Sequence, residues 1–213
     1  MTESNDYFIK ICGVTNLDDA ESIIDAGASG IGLILTESPR RLSIEAATSL
    51  ADATKGRIDR TAVFFHNDDA FILATVETLG VEGVQIHGAL SDELLVGLRR
   101  RNVRIVKALS ITNGEFLDFD DARVDAVLVD GASPGSGRTH TWSPMSTRAF
   151  RVPVIVAGGL TALNVAETIE CTRPWGVDTA SGVERSPGLK DPTLVSRFVD
   201  AARRAFEQRE DVG

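Results

Sequence analysis

Cysteine, histidine and clustered positive charge are all scarce in this chain. Its 213 residues hold two cysteines, Cys12 and Cys171, and three histidines, His66, His87 and His140. Two cysteines so far apart make neither a disulfide framework nor a zinc-ligand spacing. The histidines are equally dispersed, so no metal is expected. No apolar run has the length of a membrane span, and the polar start M-T-E-S-N-D lacks the apolar core of a signal peptide. A reduced, cytoplasmic setting is the expectation. Lysine and arginine total 22 against 31 acidic residues, a formal net charge of −9, with no basic block or stripe. Nucleic acid is therefore not an expected partner, and any anionic ligand needs local positive groups to overcome the overall field.

What is present is alternation. Strand-like runs fall at Tyr7–Ile11, Gly30–Leu35, Thr61–Phe65, Gly83–Ile86, Val103–Lys107, Ala126–Val129, Val152–Ala157 and Gly176–Thr179. Between them, Leu17–Ala26, Ile44–Ala53, Ala70–Leu79, Asp92–Arg101 and Leu163–Cys171 place apolar residues three and four apart, as helices do. Asp191–Gln208 reads as a closing helix, while the acidic Thr112–Asp121 is poorly periodic and reads as a weak helix or a loop. Strands recurring every ~20–30 residues match the β-α unit of an eight-fold barrel. A doubly wound open sheet is the competitor, but no G-x-G-x-x-G follows the first strand. The expected fold is a single-domain (β/α)8 TIM barrel over residues 1–213, with loose ends at 1–6 and 209–213. No Pro/Gly/Ser linker divides it.

In such a barrel the chemistry collects at the C-terminal ends of the strands. The first strand ends in K-I-C-G, Lys10 to Gly13. Lys10 and Cys12 share one face of it, and a nearby cation makes a thiol easier to ionise. Cys12 as plain apolar filler is the alternative. Asp130 ends the sixth strand, across the ring, so Cys12 and Asp130 can act as base and acid on a small molecule between them; a turn or capping carboxylate is the alternative for Asp130. Glycine pairs past strands seven and eight, at A-G-G-L (Ala157–Leu160) and A-S-G-V-E (Ala180–Glu184), let backbone amides approach a phosphate. Arg40 can hold a ligand carboxylate through its planar fork, with Arg41 a solvated neighbour. Lys10 and Lys107 add positive potential if they face inward; Lys107 otherwise pairs with a structural carboxylate. His87 lines a pocket or caps its strand. His66 and Cys171 read as structural, and Arg138 and His140 lie on a loop.

Taken in order, K-I-C-G-V-T-N (Lys10–Asn16), S-P-R (Ser38–Arg40), Q-I-H-G (Gln85–Gly88), L-V-D (Leu128–Asp130), A-G-G-L, V-D-T-A-S-G-V-E (Val177–Glu184) and P-G-L-K-D (Pro187–Asp191) resemble the phosphoribosylanthranilate isomerase family over nearly the whole chain. That resemblance implies an Amadori rearrangement of N-(5-phosphoribosyl)anthranilate to 1-(2-carboxyphenylamino)-1-deoxyribulose 5-phosphate, in tryptophan biosynthesis. It implies Cys12 as general base at ribose C2 and Asp130 as general acid at the ring oxygen. Arg40 would hold the anthranilate carboxylate, Asp178 would face the ribose hydroxyls, and His87 would line the substrate pocket. The phosphate would rest on amides around Gly158, Gly159, Ser181 and Gly182. No cofactor is implied, and the partner is a small phosphorylated aminosugar, handled by a monomer or homodimer. Three local departures stand out: P-G-S-G-R-T-H-T-W at Pro134–Trp142, bulky Phe65 in the third strand, and Ala180 in place of a serine. They leave two other readings open. One is a phosphosugar isomerase with a shifted substrate, which Arg40 argues against. The other is a catalytically silent phosphate-binding paralogue, which the presence of both Cys12 and Asp130 argues against.

Overall fold

The first four helices begin where the sequence supplies a capping oxygen. Asn16, Ser43, Asp68 and Ser91 each accept a backbone N–H three residues on, satisfying a donor that the helix itself leaves open. A computed structural model describes residues 7–65, 67–110, 121–131 and 150–210. The helices are α1 (Leu17–Asp25), α2 (Ile44–Thr54), α3 (Asp69–Leu79), α4 (Asp92–Arg100), α5 (Val165–Thr172) and α6 (Pro192–Glu210). The strands are β1 (Phe8–Cys12), β2 (Gly30–Ile34), β3 (Asp59–Phe65), β4 (Gly83–His87), β5 (Arg104–Ser110), β6 (Ala126–Asp130), β7 (Val154–Ala157) and β8 (Gly176–Thr179). They pair in parallel in chain order, and β8 returns to β1, closing the barrel. The (β/α)8 expectation holds.

Alternation along the strands sorts side chains into two buried layers. Phe8, Val106, Ala108, Ala126, Leu128, Ile155 and Ala157 pack together inside the barrel. Ile9, Ile11, Ile31, Leu33, Phe64, Val127 and Val129 join the larger core beneath the helices. Gly30 belongs to the inner layer because Phe8 occupies its side-chain space: a Cβ there would meet the Phe8 ring at 2.7 Å. Lys107 lies between Val106 and Ala108 and so faces away from the interior, with its Nζ donating to the Ala108 carbonyl at 2.7 Å. It adds no potential to the barrel lumen.

Several boundaries differ from the sequence reading. Cys12 is the last residue of β1 rather than the first beyond it. Helix α6 runs to Glu210, because Arg209 donates to the Pro174 carbonyl at 2.7 Å and lies over the Phe206 ring. A hairpin of β9 (Glu184–Ser186) and β10 (Leu189–Lys190) follows β8, turning at Gly188 with φ +83. Periodicity missed it, since strands of two and three residues carry no pattern. The weak helix at Thr112–Asp121 lies outside the described residues except for Asp121, which opens a 3-10 turn to Arg123. His66 and the loop Pro134–Trp142, with Arg138 and His140, also lie outside them.

Candidate active site

The C-terminal strand ends surround a cavity of about 590 Å³. Cys12, Arg40, His87, Asp130, Gly158, Gly159, Asp178 and Ser181 all line it. Of the predicted residues only Gly182 stands behind the wall, and its reason for being glycine is steric. A Cβ there would sit 1.8 Å from the Leu160 carbonyl oxygen, which also accepts from Thr179 Oγ1 at 2.7 Å. Leu160 thus ties the turn after β7 to the turn after β8. Gly158 and Gly159 have φ of +106 and +64, conformations that L side chains resist. Asn164 fixes them by donating from Nδ2 to the Gly159 carbonyl at 3.0 Å.

Cys12 and Asp130 stand on β1 and β6, three strands apart by the shorter arc through β8 and β7. The thiol has room because β2 carries glycine opposite it. Cys12 and Gly32 are register partners, and a Cβ on Gly32 would fall 2.5 Å from Sγ. Gly13 plays the same part for the arginine: it has φ +71, and a Cβ there would meet Arg40 Cδ at 2.4 Å.

Lys10 faces inward beneath Cys12 and is 1% exposed. Its Nζ lies 2.9 Å from Asp178 Oδ1, its register partner's carboxylate on β8. The contact is a buried ion pair, in which distance sets the attraction. Burial pushes the Cys12 thiol above its ordinary 9.0; Lys10 pulls it down, Asp178 raises it, and Lys190 lowers it. The cation is in place, but desolvation outweighs it. Burial likewise raises the Asp178 carboxyl against the pull of Lys10.

Arg40 is buried and already engaged. Its Nε and Nη2 donate to Glu184 Oε1 and Oε2, both at 2.7 Å. The side edge of the guanidinium fork is taken, and the Nη1–Nη2 end is the edge left for a ligand carboxylate. On β4, Gln85 Nε2 and His87 Nε2 are 2.9 Å apart, and the His87 ring meets the Phe65 ring edge-on at 5.7 Å. His87 and the exposed Phe65 together form an aromatic rim. Among the described residues no group of His, Cys, Asp and Glu has the arrangement of a metal site. Cys171 is exposed and does not line the cavity.

Three neighbours of Cys12 and Arg40 were missed in the sequence: Gly32, Glu184 and Lys190. Gly32 has no signal beyond being a glycine inside a strand, which can mark a close approach. Glu184 and Lys190 are the charged residues of V-E and L-K-D, but their partners are distant in the chain.

A closed parallel barrel that gathers a thiol, a carboxylate, an arginine and two glycine turns at its C-terminal mouth defines a barrel enzyme with a site for a small anionic molecule. The model of the N-(5'-phosphoribosyl)anthranilate (PRA) isomerase family matches residues 9–201, and the chain belongs to that family. An N-(5'-phosphoribosyl)anthranilate isomerase of Myxococcus xanthus is 40% identical over 207 residues, 92% of this chain and 95% of its own length. One of Pelobacter propionicus is 37% identical over 201 residues, with the same two coverages of 92% and 95%. Among solved structures, TrpF from Jonesia denitrificans aligns with a TM-score of 0.82 at 34% identity, covering 93% of this chain and 98% of that one. A phosphoribosyl anthranilate isomerase in complex with reduced 1-(o-carboxyphenylamino)-1-deoxyribulose 5-phosphate aligns at 0.78 and 28% identity, covering 93% and 99%.

Proposed function

We propose that this chain converts N-(5'-phosphoribosyl)anthranilate to 1-(2-carboxyphenylamino)-1-deoxyribulose 5-phosphate, the Amadori step of tryptophan biosynthesis, in the cytoplasm. The observation that carries the reading is that Cys12, Asp130, Arg40 and the glycine turns open onto one cavity of about 590 Å³ in a member of this family. The substrate has an anion at each end, and the cavity has a receptor for each. Backbone amides at Gly158, Gly159 and Ser181 take the phosphate, with Gly182 shaping the Ser181 turn from behind. Arg40 takes the carboxylate through its Nη1–Nη2 end, with the anthranilate ring against His87 and Phe65. Asp178 faces the ribose hydroxyls.

Held at both ends, the sugar lies between the two acid–base groups. Asp130 gives a proton to the ring oxygen as the C1–O bond opens, and the nitrogen lone pair forms a protonated imine between C1 and the anthranilate nitrogen, which keeps its hydrogen. Cys12, as thiolate, removes the proton from C2. The C2–H electron pair becomes the C1–C2 double bond, and the imine pair settles on nitrogen. In ketonisation of the enolamine the C2 hydroxyl gives up its proton as C1 gains one, which completes an isomerisation with no net gain or loss of atoms or electrons. Burial favours the neutral thiol while Lys10 and Lys190 pull its pKa down, so the two cations are what favour the thiolate that removes the proton. A turnover assay with freshly made substrate tests the reading: conversion no faster than the uncatalysed background would sink it.

A further inference from the structure

The hairpin after β8 carries two buried charges that take no part in the proton transfers. Glu184 opens β9 and Lys190 closes β10, and the two are register partners. Lys190 is 0% exposed. Its Nζ donates to the Cys12 carbonyl at 2.6 Å, to the Ala180 carbonyl at 3.1 Å and to Glu184 Oε1 at 2.9 Å. An ammonium has three protons, so all are committed and none remains for a ligand. Glu184 spends both oxygens on Arg40 and also accepts the Gly188 N–H at 3.2 Å. The Lys190 backbone N–H donates to Asp19 Oδ2 at 2.9 Å, anchoring the hairpin to α1.

One ammonium therefore grips the end of the strand bearing Cys12, the start of the turn after β8, and the carboxylate that orients Arg40. We propose that Lys190 and Glu184 are a positioning pair: Lys190 places Cys12 at the reacting carbon, and Glu184 aims Arg40 at the ligand carboxylate. This rests on the proposed isomerase activity. Division of labour follows from the connections. Lys190 touches the backbone of the base, so its loss acts on the chemical step, where a small misplacement is costly. Glu184 touches the group that holds the substrate in ground and transition states alike, so its loss acts on binding.

The test compares kcat and KM of wild type, Lys190→Met and Glu184→Gln on phosphoribosylanthranilate, with circular dichroism to confirm folding. Lys190→Met is expected to lower kcat by about 10²-fold. Glu184→Gln is expected to raise KM by about 10-fold with kcat within about threefold of wild type. A folded Lys190→Met with kcat near wild type overturns the proposal, as does a Glu184→Gln whose loss falls on kcat alone. If Lys190→Met does not fold, Lys190→Gln, which keeps two amide protons, takes its place. Iodoacetamide alkylation of Cys12 in a Cys171→Ser background gives a readout independent of turnover. Removing the Lys190 charge should slow it and move its pH midpoint upward. An unchanged profile overturns the role of Lys190 even if wild type proves inactive, whereas inactivity alone overturns only the isomerase reading.

Discussion

The two walls of the cavity are built by different physics. On the β1, β2 and β8 side, Lys10, Cys12, Arg40, Asp178, Glu184 and Lys190 are buried and joined by ion pairs and hydrogen bonds of 2.6 to 3.1 Å. On the β6 and β7 side, Leu128 and Ala157 form an apolar wall, packed on Val106 and Ala108 of β5, with Asp130 at its rim. Cys12 stands in a wired wall and Asp130 at the edge of a packed one. Hydrogen-bonded charges are directional and expensive to leave unpaired, whereas apolar packing tolerates small changes of shape. A perturbation on the first side should therefore travel to the thiol, and one on the second should stay local.

Chemistry should need both walls equally. Cys12→Ser and Asp130→Asn are each expected to lower kcat by about 10²–10⁴-fold, the usual worth of a general acid or base, without loss of secondary structure by circular dichroism. A variant that kept full activity would reduce its side to scaffold. The walls should part company under small steric changes. Gly32→Ala drives a methyl to 2.5 Å from Sγ and is expected to cost about 10²-fold in kcat through misplacement alone. Leu128→Val, in the buried apolar wall, should cost about 1 kcal/mol in denaturant unfolding, with kcat falling less than about threefold, as expected for local repacking. Equal activity losses in the two variants would erase the distinction. Arg40→Lys removes the planar fork that serves Glu184 and the ligand together; KM should rise by about 10-fold while kcat changes less.

How far each wall was legible in the sequence follows from the same contrast. The packed wall and the barrel around it are periodic features: apolar strand runs, helices with spaced apolar residues and capping side chains announce themselves over a few residues. Cys12, Asp130 and the glycine turns could be singled out because they sit at strand ends. The wired wall was not legible, since its contacts join distant segments. Arg40 and Glu184 are 144 residues apart, and Lys190 and Cys12 are 178 apart. Lys10 was read correctly as a neighbour of the thiol, yet the sign of the net effect depended on burial, which spacing does not report.

That sign can be tested most finely at Asp178. Its carboxylate raises the thiol pKa, adding to the effect of burial, while Lys10 on the other side lowers it. Asp178→Asn keeps the shape but removes the negative charge, and Lys10 loses its ion-pair partner at 2.9 Å. Two consequences point the same way: repulsion of the thiolate disappears, and the Lys10 charge is no longer shared with a carboxylate. The pH midpoint of Cys12 alkylation, measured in the Cys171→Ser background, should therefore move down from its raised position toward the ordinary 9.0. The expectation holds whatever happens to turnover, because alkylation reads the thiol alone. An upward shift would mean that Asp178 serves chiefly to hold Lys10 beside Cys12, and that the wired wall works through placement of its cation rather than through the balance of its charges.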